Sequence, residues 1–133
     1  MMTRIDARDR LIVALDVPSA AEAEALVDRM GGQVRFVKVG LELYTVAGPD
    51  IVRKLVDRGK RVFLDLKFLD IEETVRRATA RVAAMGATFL TIHANRTALV
   101  AAVQGRGQSE LKLLAVTVLT NFDGDDLREM GIQ

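Results

Sequence analysis

The sequence predicts an α/β fold built on a parallel sheet, and three observations lead there. Five short β-rich runs, at 11–16, 34–40, 61–67, 87–93 and 112–119, recur at intervals of roughly 22 to 28 residues. Helical patterns fill the gaps between them, and two of these patterns stop at a glycine that leads into the next run. The repeat length suits right-handed βαβ units.

The first run ends in Asp16, and Pro18-Ser19 then opens a helix over 20–30, with Ser19 as cap and Glu22 three residues on as the partner of a capping box. The second run carries Lys38 near its end. A helix over 49–58 begins at Pro49 and stops at Gly59. The third run holds Asp65 and Lys67, and Asp70 with Glu73 fits D-x-x-E, so Asp70 is expected to cap a helix over 71–85 that stops at Gly86. The fourth run ends at His93. Gly105-Arg106-Gly107 lacks the G-x-G-x-x-G spacing and reads as a loop. The fifth run carries Thr117, followed by Thr120.

At 133 residues, half of them hydrophobic, the chain can build one core, so residues 1–133 read as a single domain or part of one. Lysine and arginine number 19 against 18 acidic residues, and a net charge of +1 offers no field for nucleic acid or an anionic membrane. The absence of cysteine excludes disulfides, thiolate metal sites and a cysteine nucleophile, and fits a reducing, cytoplasmic compartment. Residues 1–16 have scattered charges and no long apolar core, so neither a signal peptide nor a membrane span is expected there.

The polar residues of the five runs gather at their C-terminal ends, the edge where parallel α/β folds bind ligands. Strand alternation puts Asp65 and Lys67 on one face, and likewise pairs Phe36 with Lys38 and Thr91 with His93. An unpaired buried charge costs several kcal/mol, so Asp65 and Lys67 must pair or line a wet cavity. A lysine kept charged by neighbouring carboxylates can deliver a proton, which makes Lys67 a candidate general acid; a purely structural ion-pair ladder is the competing reading. Lys38 and Asp16 divide between the same two readings. His93 is the only histidine and has no partner at ligand spacing, so no metal site is expected. Thr74, Thr117 and Thr120 are unremarkable on spacing alone.

At 63–74, FLDLKFLDIEET, the chain resembles the D-x-K-x-x-D signature of the orotidine 5′-phosphate decarboxylases, and LIVALDVPS, FVKVGLELYTVAGP, TIHA and LLAVTVLTNFD resemble that family's first five strands in order. Suprafamily relatives that use magnesium share the signature but lack the lysine of FVKVG, so Lys38 favours the nucleotide decarboxylase. The resemblance implies a catalytic array of Lys38, Asp65, Lys67 and Asp70, with Asp70 and Thr74 reaching a neighbouring subunit's site. It also implies that Asp16 and Lys38 hold ribose hydroxyls, that Thr120 lies near the pyrimidine and that His93 lies on the strand-four rim. The implied reaction converts orotidine 5′-phosphate to UMP in pyrimidine biosynthesis and requires no cofactor.

Against the family's usual K-F-H-D-I-P-N-T, this chain has Leu69, Glu72 and Glu73 at the His, Pro and Asn positions, and Asn95-Arg96-Thr97 replaces the small residues after His93. The expected architecture is a partial TIM (β/α)8 barrel of about four and a half βα units, an N-terminal half, since a whole barrel needs about 250 residues. Loops after strands seven and eight, which grip phosphate in such barrels, would then be absent, so very weak or no decarboxylation is expected. The alternatives are an engineered or truncated non-catalytic half-barrel and a sugar-phosphate binding module. Open strand edges predict a homo-oligomer, most simply a dimer.

Overall fold

The computed structural model describes residues 4–133, so the first three residues of the N-terminal segment lie outside it. Strands β1 (Ile12–Ala14), β2 (Phe36–Val39), β3 (Arg61–Phe68), β4 (Phe89–His93) and β5 (Lys112–Val116) form one parallel sheet in the order β1-β2-β3-β4-β5. Helices α1 (Ala20–Met30), α2 (Leu41–Asp57), α3 (Glu72–Ala84) and α4 (Arg96–Arg106) make the crossovers, and α5 (Gly124–Glu129) follows β5. Parallel strands in unbroken sequential order, each followed by a helix, describe an arc of a (β/α)8 barrel.

Alternation divides the sheet into two faces. Val37, Val39, Val62, Leu64, Leu90 and Ile92 point outward and are fully buried under the helices. Each crossover helix answers with a buried, mostly apolar stripe at helical spacing: Ala23 and Val27 on α1, Ile51, Val52 and Leu55 on α2, Val75, Thr79 and Val82 on α3, and Ala98, Ala101 and Ala102 on α4. A buried Leu or Val of this kind stabilises by about 1.5–3 kcal/mol, so the helix-covered face carries most of the driving force.

The inner face is aromatic near the N-terminal ends of the strands. Phe36 and Phe89 stack with centroids 5.4 Å apart, Phe63 meets Phe89 edge-on at 5.9 Å, and the Arg61 guanidinium lies 4.7 Å above the Phe36 ring. Asp9, in the short helical turn Ala7–Asp9, approaches Arg61 at 3.9 Å and brings the N-terminal segment to this floor. No helix among the described residues is long and apolar enough to cross a membrane.

Several local expectations are corrected. Helix α2 starts at Leu41, not at Pro49, and is broken at Gly48, whose φ of 64° admits glycine readily; Pro49 then opens the second piece. Ser19 does cap α1 by accepting from the Glu22 N–H. Asp70 does not cap α3: the N-cap is Ile71, and the Asp70 carboxylate accepts from the adjacent Ile71 N–H at 2.7 Å.

Gly105 and Arg106 form the last turn of α4, where a loop was expected, and Gly107 ends the helix with φ 54°. The reason is helix contact. A Cβ built at position 105 would lie 2.2 Å from the Arg76 carbonyl oxygen of α3 and 3.0 Å from the Thr79 Cβ, so only glycine lets the two helices approach this closely. Gly105→Ala gains about 1 kcal/mol of helix propensity but overpacks this contact by more. The expected net loss is about 1–2 kcal/mol, read as a lower urea midpoint; an unchanged midpoint would show that α4 does not seat on α3 in this way.

Candidate functional site

At the C-terminal edge of the sheet, four charges of alternating sign run from one strand to the next. Asp16, just beyond β1, accepts from Lys38 Nζ at 3.3 Å. Lys38 Nζ lies 4.0 Å from Asp65 Oδ2 on β3, and Lys67 Nζ donates to Asp65 Oδ1 at 2.9 Å. The parallel register brings them together, since β1 pairs with β2 through Ala14 opposite Lys38, and β2 with β3 through Lys38 opposite Phe63. Asp65 and Lys67 border a cavity of about 390 Å³, whose wall includes Phe63, Thr91 and, from the segment after β5, Thr120.

Asp65 and Lys67 do meet, but simple alternation is not what brings them together. Between β3 and β4 the pairing runs Leu64 to Leu90 and then Phe68 to Ile92, four residue steps against two. The two extra residues bulge, and Lys67 takes φ 49°, the only positive φ outside glycine among the described residues. Its main-chain N–H turns to the Thr91 hydroxyl at 2.9 Å, and that hydroxyl donates to Asp65 Oδ1 at 2.8 Å. Thr91 was not singled out from the sequence. A polar residue in a β-rich run two places before His93 was the available signal.

Burial is the largest influence on the Asp65 carboxyl and on its own would raise its pKa. Hydrogen bonds from Lys67 and Thr91, with the charges of Lys67 and Lys38, outweigh it and leave the pKa below the usual carboxylate range. The group is an anion at neutral pH, and it keeps an ammonium on each side.

The remaining expected residues are not drawn into this cluster. Asp70 and Thr74 lie exposed at the end of β3 and in the first turn of α3, beside a smaller cavity of about 190 Å³ that they share with Phe68, Leu69, Val75 and Ala78. His93 is half-buried at the end of β4 and does not line the larger cavity. Glu73 is tied to its own helix: hydrogen bonds from Arg76, at 2.7 and 2.9 Å, and from Arg77, at 2.6 Å, hold its carboxyl down to about 2. Asn95 accepts from the Ala98 N–H and caps α4. Among the described residues no group of three or more His, Cys, Asp or Glu side chains is placed to hold a metal ion.

Residues 9–133 match the family model described as Orotidine 5'-phosphate decarboxylase / HUMPS family. The orotidine 5'-phosphate decarboxylase of Rhodopseudomonas palustris (strain HaA2) is 52% identical over 124 residues, which cover 93% of this chain and 53% of that protein. That of Bradyrhizobium diazoefficiens is 50% identical over 126 residues, 95% of this chain and 53% of the relative. Among solved structures, orotidine 5'-phosphate decarboxylase from Lactobacillus acidophilus superposes with a TM-score of 0.82 at 39% identity, over 91% of this chain and 58% of that one. The chain spans about half the length of the curated relatives it matches.

Because the Asp65 carboxyl is more acidic folded than unfolded, its contribution to stability is complete above the unfolded value, about 4, and is lost as pH falls through the folded value. Lys67→Met removes the nearest cation and one hydrogen bond, so the Asp65 titration midpoint, read by carboxyl 13C NMR, is expected to rise. The loss of stability below pH 4 then becomes shallower. A midpoint that stays in place would remove Lys67 as the cause of the depression.

Proposed function

The chain belongs to the orotidine 5'-phosphate decarboxylase / HUMPS family, and from that premise we propose that its charged array acts on orotidine 5′-phosphate, releasing carbon dioxide and leaving UMP for pyrimidine biosynthesis. The observation that carries this reading is the alternating series Asp16, Lys38, Asp65 and Lys67 beside a cavity at the C-terminal sheet edge. Lys38 is the member that favours nucleotide decarboxylation over the chemistry of magnesium-using relatives.

In the proposed reaction the bond between C6 and the carboxylate breaks and its electron pair stays on C6. The Lys67 ammonium stabilises that charge in a partly desolvated setting and then transfers a proton to C6, regaining one from water. Asp65 accepts a hydrogen bond from Lys67 Nζ, which holds that group in place until the step, and lies near the departing carboxylate. Asp16 and Lys38 take the ribose hydroxyls, and Thr120 faces the pyrimidine from the segment after β5. Phosphate in such barrels is gripped by loops after strands seven and eight, outside the five strands seen here. The 133 residues assayed alone are therefore expected to turn over slowly, because remote phosphate binding energy helps to lower the barrier. The proposed compartment is the cytoplasm, in keeping with a chain that has no cysteine.

The test is loss of orotidine 5′-phosphate absorbance at high protein concentration, with Lys67→Ala alongside. Slow turnover that disappears in the variant supports the reading, and turnover equal in both proteins overturns it.

A second proposal concerns the open edges. Among the described residues β1 and β5 each have one strand neighbour, and Leu11, Ile12, Leu114 and Val118 are 37–56% exposed on or beside them. Such edges favour self-association, so we propose that the 133 residues pair with a second copy. Light scattering is expected to give twice the chain mass or more, and a folded monomer at micromolar concentration would sink the proposal.

A further inference from the structure

The Thr91 hydroxyl lies at the centre of a closed ring of hydrogen bonds. It accepts from the Lys67 main-chain N–H and donates to Asp65 Oδ1, and that same oxygen accepts from Lys67 Nζ. Thr91 is only 5% exposed. The bulge in β3 withdraws the Lys67 amide from regular pairing with β4, and an amide at this depth must find another acceptor. A non-glycine residue in the left-handed region persists only where its surroundings over-determine it.

We propose that Thr91 is a positioning residue for the charged array: its hydroxyl holds the left-handed bend at Lys67 and the orientation of Asp65 together, and so aims the lysine ammonium into the cavity. One hydroxyl thereby links the main chain of the proton donor to the carboxylate that its side chain pairs with. Valine has the shape of threonine but lacks both hydrogen bonds, whereas serine keeps both. The position therefore requires a hydroxyl, not merely a β-branched side chain. The effect on turnover rests on the decarboxylase reading, while the effect on hydrogen bonding and titration stands without it.

The test compares the full chain with its Thr91→Val and Thr91→Ser variants. In the unsubstituted protein the Lys67 amide is expected to exchange with solvent at least tenfold more slowly than an exposed loop amide. In Thr91→Val that protection is lost and the Asp65 midpoint, read by carboxyl 13C NMR, moves up; Thr91→Ser restores both. Where decarboxylation is measurable, Thr91→Val lowers kcat at least tenfold with KM changed less than threefold, as expected for a misaimed proton donor. Lys67 and Asp65 signals that respond in this way support the positioning role by themselves, so turnover left equal by Lys67→Ala would overturn the decarboxylase reading and leave that role standing. An unprotected Lys67 amide in the unsubstituted protein overturns the inference even if Thr91→Val fails to fold, and so does a Thr91→Val protein that matches it in exchange and titration.

Discussion

The upper half of this sheet is organised around the difficulty of keeping one carboxylate charged where water is scarce. Asp65 sits on a central strand with its side chain only 16% exposed, and burial works against its ionisation. Two ammonium groups and a hydroxyl reverse that balance. Each reaches Asp65 through a different piece of architecture. Lys38 comes from the neighbouring strand by register, Thr91 from the strand on the other side, and Lys67 from the same strand by a bend. Removing Thr91 leaves the Lys67 amide without its partner, and removing either lysine leaves Asp65 one ammonium to offset its burial.

The two ends of the inner face divide their labour accordingly. At the N-terminal ends Phe36, Phe63 and Phe89 pack ring against ring with Arg61 laid over Phe36, and this part of the inner face is apolar, with Phe36 buried and Phe63 and Phe89 half-buried. A few residues further along the same strands the interior becomes ionic. The change occurs within single strands, from Phe36 to Lys38 and from Phe63 to Asp65, because a period of two returns every second residue to the same face. A barrel can thus hold an aromatic floor and a charged rim on one continuous set of strands.

Much of this was legible in the sequence. The five strands could be read from β-rich runs at even spacing, and Gly59 and Gly86 marked where helices give way to strands, both with the positive φ that such stops require. The grouping of Asp16, Lys38, Asp65 and Lys67 followed from the polar ends of those strands. What escaped were features set by neighbours in space. Alternation gave the correct side for Lys67 without revealing the bulge, because extra residues in a strand are defined only against the strand beside it. The D-x-x-E pattern at Asp70 was satisfied in letters, but the chain turns one residue later, so the carboxylate meets the Ile71 amide instead of the first helical turn. The first half of α2 was hidden because Gly48 and Pro49 look like a beginning when they are an interruption.

Gly105 has a consequence for how the sequence can change over time. The atom that forbids a side chain there is the main-chain carbonyl of Arg76, and every amino acid at position 76 carries the same carbonyl. A clash between two side chains can be repaired by shrinking the partner, so such positions drift in pairs. This contact offers no partner to shrink. Position 105 is therefore closed to one-step variation and also to the two-step routes by which most packed positions are exchanged, and it can open only if a whole helix is re-seated.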